Sequence, residues 1–136
     1  MSRPSFAFID TQAFIANYRY AKSLAPAARA VAVIKANAYG HGAVALAHVL
    51  AAEADAFAVA STEEAMELRE SGIENPILLL EGAFEPAEID NAAAQNFALA
   101  IHTEKQLEWL LAARPEHALD VWLKADTGMH RLGFAP

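Results

Sequence analysis

Lys35 is the residue from which a chemical reading can start. It closes the run "AVAVIK" (30–35), whose small and branched apolar side chains suit a strand in a protein interior. Two readings fit such a lysine. The plainer one is a side chain that snorkels its ammonium past the end of the strand. The sharper one is an amine held partly out of water, so that its pKa falls and it acts as nucleophile or base. The continuation "ANAYGHG" (36–42) weighs toward the second. Gly40 and Gly42 flank His41 and let backbone approach a bound molecule, and Tyr39 supplies a hydroxyl on a rigid ring. A tight turn into a helix explains the glycines equally well.

A second polar stretch, "VWLKADTGMHRLGF" (121–134), places Lys124 at the end of another apolar run, with Arg131 further on. Taken alone, Lys124 pairs with Asp126 at a strand end, and Arg131 caps a helix or binds a surface carboxylate. The triplet "DTG" (126–128) matches the aspartic-protease signature, but one copy in a chain that is not all-β is coincidence. Other chemistries lack their residues. "AYGHGA" has two glycines of the dinucleotide-binding pattern and not the third. His41, His48, His102, His117 and His130 are scattered and no H-E-x-x-H occurs, so no metal is expected.

The elements that must position these groups alternate. Apolar runs at 30–35, 56–61, 76–81, 97–102 and 119–125 read as strands. Residues 11–25, 43–53, 62–71, 86–95 and 104–113 read as helices. Ser61 with Glu64, and Thr103 with Gln106, have the form of capping boxes. Pro86 suits a first helical position, and Gly72 a left-handed helix stop. Strand starts roughly 20–25 residues apart fit βα units, and strands apolar throughout fit a parallel sheet covered on both faces. Such units make either a small doubly wound sheet or the first five of eight in a closed barrel of about 250 residues. In both, chemistry collects at the C-terminal ends of strands, where Lys35, Ser61, Glu81, His102 and Lys124 fall.

Composition narrows the function. The chain has 136 residues, 55% hydrophobic and 20% charged, which is a globular composition. A net charge of −7 with dispersed basic residues argues against nucleic acid or an anionic membrane as partner. The absence of cysteine excludes disulfides and thiolate metal sites. The opening "MSRPSFAFID" lacks the apolar core of a signal peptide, so the cytoplasm is the default compartment.

The two polar blocks, with the strand–helix rhythm between them, resemble the alanine racemase family. "AVIKANAYGHGA" (32–43) is similar to its pyridoxal-phosphate lysine segment, and 121–134 to its later signature. The resemblance implies the N-terminal portion of a (β/α)8 barrel, about five βα units and incomplete. It assigns residues 11–136 to that barrel and 1–10 to a strand joining a C-terminal β domain. It implies interconversion of L- and D-alanine through a pyridoxal phosphate aldimine on Lys35, which also serves as base. Tyr39 matches the tyrosine that reaches the cofactor phosphate. Arg131 matches the arginine on the cofactor's phenolic oxygen and the substrate carboxylate, and Lys124 a lysine carbamylated in many members. The opposite-face base is a tyrosine of a second subunit, so a homodimer is implied, and the 136 residues alone are expected to be inactive. Two other readings stand: a barrel-type pyridoxal-phosphate protein without racemase activity, and an interaction module that pairs through an open barrel edge. A role in supplying D-alanine for cell-wall precursors and one in alanine breakdown are equally open.

Overall fold

The computed structural model describes residue 4 and residues 6–136. In chain order the elements are α1 (Thr11–Ser23), β1 (Val31–Val33), α2 (Lys35–Gly40), α3 (Ala43–Leu50), β2 (Ala56–Val59), α4 (Thr62–Glu70), β3 (Ile77–Leu79), α5 (Ala87–Ala94), β4 (Phe97–Ile101), α6 (Glu104–Ala112) and β5 (Val121–Leu123). Each expected strand contains an observed one, shortened at its ends. All pairings are parallel, and the strand order is strictly sequential, β1-β2-β3-β4-β5. A doubly wound sheet reverses its order at a switch point. This sheet does not, so it is a run of barrel units.

Alternation along the strands sorts side chains by face. Ile34, Phe57, Val59, Ile77, Leu79, Phe97, Leu99 and Ile101 join one buried cluster with Leu46 and Leu50 of α3, Leu68 of α4 and Ile89 of α5. Burying each such side chain contributes roughly 1.5–3 kcal/mol. The intervening positions, Val33, Ala58, Leu78 and Ala98, are aligned across four strands on the opposite face. Two of the four are alanine and two are branched, the mixture that fills a packed barrel interior. The expectation of cover on both faces holds for β2 and β3 and fails for β5. Val121, Trp122 and Leu123 are 40%, 56% and 71% exposed. The physical reason is that, among the described residues, β5 pairs with β4 alone and no helix follows it to cover a face.

The punctuation is largely as expected. At the end of α4, Gly72 (φ +92°) donates to Arg69 and Ile73 to the Leu68 carbonyl, a Schellman closure with Leu68 and Ile73 both buried. Pro86 precedes the first residue of α5 instead of occupying it. The two capping boxes are altered. The Ser61 side chain makes no cap hydrogen bond, and the Glu64 carboxylate accepts from Ala60 N–H at 2.8 Å. Thr103 Oγ1 does accept from Gln106 N–H at 3.2 Å, but Gln106 Oε1 reaches His102 N–H at 3.1 Å. Both return contacts land one residue before the helix cap, just past the end of the observed strand.

α1 closes the base of β1. Asp10 caps it by accepting from Ala13 N–H at 3.0 Å. Asp55 Oδ2 accepts from both Ala30 N–H and Lys22 Nζ, each at 2.7 Å. These contacts, the Ala30 amide foremost, hold the Asp55 carboxyl below the usual aspartate range. The strand expected over 1–10 lies partly outside the described residues; residues 6–10 carry no regular structure.

Candidate functional site at the C-terminal rim of the sheet

Ile34 makes the last ladder contact of the first strand, donating to the Ala58 carbonyl at 2.9 Å. The chain then turns with the opposite hand. Ala36, Asn37, Ala38 and Tyr39 have φ of 51–54° and ψ of 36–49°, so α2 is a single left-handed turn. Left-handed backbone costs an L-residue roughly 1–2 kcal/mol, and runs of it are avoided. The surroundings hold it. Ala38 N–H donates to the Ile34 carbonyl at 2.8 Å, and Gly42 N–H to the Asn37 carbonyl at 2.9 Å. Asn37 Oδ1 accepts from Ala43 N–H at 2.8 Å and so caps α3, which has no side-chain cap of its own. His41 Nδ1 lies 2.8 Å from the Ala38 carbonyl, which fixes that ring as part of the turn. Gly40 and Gly42, at φ +86° and +95°, carry the chain out of it.

Lys35 stands where this turn leaves the strand. Its side chain is 27% exposed, and Nζ lies 3.6 Å from Glu81 Oε1, beyond the end of β3. The Glu81 carbonyl accepts from Gln106 Nε2 and contacts His102 Nε2, each at 2.9 Å. Lys35, Glu81 and His102 are therefore gathered on one rim. Tyr39, on the same turn, is 61% exposed. Within the site, reasoning from sequence missed Glu64 and Gln106 as anything beyond helix caps, and missed the Lys35–Glu81 approach. Their only signal was position: each lies at, or one turn past, the end of an apolar run.

The second block folds as a closed loop after β5. Phe134 N–H donates to the Lys124 carbonyl at 2.9 Å, and Asp126 N–H to the Phe134 carbonyl at 2.8 Å. A Cβ on Gly133 would meet Asp126 N at 2.7 Å, so only glycine fits. Asp126 accepts from His130 N–H at 2.9 Å and Gly128 N–H at 3.2 Å, and its Oδ2 is 3.0 Å from His130 Nδ1. These amides, His130's first, hold its carboxyl below the usual range. Asp126 thus organises the loop and does not pair with Lys124. Lys124 is half-buried and Arg131 exposed. Among the described residues no hydrogen bond or ion pair joins Arg131 to Lys124 or to Lys35. Among the described residues no three His, Cys, Asp or Glu stand together as metal ligands, and no helix is long and apolar enough to cross a membrane.

A sequential parallel sheet with polar groups gathered at its C-terminal rim defines an α/β protein built of barrel units. Residues 9–136 match the family model described as alanine racemase, N-terminal domain. An alanine racemase of Chromohalobacter salexigens is 54% identical over 136 residues, 100% of this chain and 37% of that protein. A catabolic alanine racemase of Pseudomonas aeruginosa is 57% identical over 134 residues, 98% of this chain and 37% of its own. The crystal structure of the biosynthetic alanine racemase of that organism superposes with a TM-score of 0.90 at 49% identity, covering 94% of this chain and 36% of that one. The chain belongs to the alanine racemase family, and it spans a little over a third of the length of these relatives.

Proposed function

We propose that the natural gene product carrying this sequence interconverts L- and D-alanine with pyridoxal phosphate as cofactor. The observation that carries the reading is Lys35, an amine at the tip of β1 on a barrel rim, within a family whose relatives are alanine racemases. The rim's chemistry fits the cofactor. An amine, an aromatic hydroxyl and a guanidinium are the groups that a phosphorylated aldehyde with a phenolic oxygen calls for. The backbone at Gly40 is also open, with nothing within 4 Å of where its Cβ would stand.

When bound, pyridoxal phosphate supplies a conjugated imine that acidifies the Cα–H of an amino acid. The protein has the remaining tasks. Lys35 holds the cofactor covalently through Nζ. The same amine would serve as the base that takes the Cα proton of D-alanine on its own face. Tyr39 directs its hydroxyl to the phosphate. Arg131 offers a planar fork to the phenolic oxygen and the substrate carboxylate. Lys124, as a carbamate, supplies the negative charge that fixes Arg131. The opposite face needs a second acid/base, which we assign to a tyrosine of a second subunit in a homodimer. Residues 1–10 we assign to a strand that joins a β domain, a reading supported by Phe6 and Phe8 being 94% and 86% exposed. We place the protein in the cytoplasm.

Borohydride reduction followed by peptide mapping tests the reading. The cofactor is expected on the peptide that contains Lys35. Recovery on Lys124 or Lys105 overturns the assignment.

A further inference from the structure

Glu64 was legible as the far half of a capping box, and that is not what it does. One carboxylate oxygen accepts from Ala60 N–H at 2.8 Å, at the end of β2. The other accepts from Ala36 N–H at 2.6 Å, the first amide after Lys35. The carboxylate therefore ties the peptide bond that carries Lys35 to the neighbouring strand. A hydrogen bond to an ionised acceptor is roughly twice as strong as a neutral one.

Gln106, in the same place two units later, gives an internal comparison. Its Oε1 accepts from His102 N–H at 3.1 Å, and its Nε2 donates to the Glu81 and Ala83 carbonyls at 2.9 Å and 3.0 Å. The residue types follow the partners. Two N–H donors face Glu64, and a carboxylate accepts from both. One donor and two carbonyls face Gln106, and only an amide serves them all. An ordinary helix cap would impose no such match.

We propose that Glu64 is a positioning residue for the Lys35 amine. By holding Ala36 N–H it sets the direction in which the left-handed turn leaves β1, and with it the approach of Nζ to the rim beside Glu81. The proposal deepens the reading of Lys35 as cofactor lysine and rests on it for its consequence in turnover.

The test uses the full natural gene product with Glu64→Gln and Glu64→Ala, and Thr103→Ala as a control that removes a genuine helix cap. Glutamine is isosteric but turns a donor toward one of the two amides. Four readouts are taken: the melting midpoint, the rate at which cofactor-free protein captures pyridoxal phosphate, reductive labelling of Lys35 by a small aldehyde relative to Lys105, and steady-state turnover. Both Glu64 variants are expected to capture the cofactor on the order of tenfold more slowly, as misplacement of a reacting group implies. In turnover they are expected to lose kcat more than KM. The Lys35 to Lys105 labelling ratio is expected to rise, because Nζ leaves its half-buried place. Thr103→Ala lowers the midpoint and moves neither the capture rate nor the ratio. If both Glu64 variants keep the wild-type capture rate and ratio while their midpoints fall like that of Thr103→Ala, the proposal is overturned. If the wild type captures no pyridoxal phosphate, the cofactor reading fails, and the labelling ratio still decides the role of Glu64.

Discussion

The left-handed turn makes a prediction whose size follows from the backbone. Ala36 is exposed, so its methyl buries nothing, and glycine keeps the N–H that contacts Glu64. At φ 51° its Cβ carries a left-handed penalty of about 1–2 kcal/mol, and Ala36→Gly removes it. Glycine also enlarges the freedom of the unfolded chain, at a cost of about 0.4–1 kcal/mol. Ala16, exposed within α1, supplies a reference that carries this same cost with no strain to relieve. Ala16→Gly should destabilise by about 1 kcal/mol. Ala36→Gly should range from neutral to about 1.5 kcal/mol stabilising, and the unfolded-state cost cancels in the difference. In urea, with a slope near 2 kcal/mol/M, the two midpoints should lie about 0.5–1 M apart. Equal losses in the two variants would refute the left-handed turn as a strained element.

Gly82→Ala should destabilise by roughly 2–5 kcal/mol in denaturant melts, from overpacking plus left-handed strain, because its Cβ would fall 2.2 Å from the Ala100 carbonyl oxygen; a loss under about 1 kcal/mol would contradict that packing. The lowered Asp55 pKa stabilises the folded state above the ordinary value of 3.8, and this contribution is lost as pH falls through the lowered value. Hydrogen exchange should therefore show α1 losing protection in acid, with a flatter profile in Asp55→Asn; identical profiles would sink the tether. Arg131→Lys should weaken both cofactor retention and alanine binding, since an ammonium lacks the planar fork; unchanged retention and unchanged KM would remove Arg131 from the site. Well-resolved density of the assembled protein should show a planar extension on the Lys124 amine within reach of Arg131, and a bare ammonium there would end the carbamate assignment.

The sheet was legible because its strands are short apolar runs set off by polar helices, and a run such as "PILLLE" has few other ways to bury itself. The choice of barrel over doubly wound sheet was not in that pattern, because strand order is a long-range property; it came from the two polar blocks. Lys35 could be singled out because a cation ending a buried run is chemically conspicuous. The left-handed turn could not, since Ala36 and Ala38 have no preference for it and adopt it only under contacts from elsewhere. Glu64 was read correctly as a helix-start acceptor and wrongly in its partners, one of which lies 28 positions away. Asp126 was offered Lys124 as a partner and took its own loop's amides, which are nearer and already fixed in direction.

The two staples also divide the rim. Glu64 binds the first βα unit to the second, and Gln106 the third to the fourth. Among the described residues no side-chain hydrogen bond crosses between the second and third units at that end of the sheet. The rim is thus built as dimers of units joined by a softer seam of backbone ladder. Opening fluctuations concentrate where such cross-links are fewest. Lys35 and Glu81 face each other across that seam, so the distance between them is the coordinate along which the mouth would breathe.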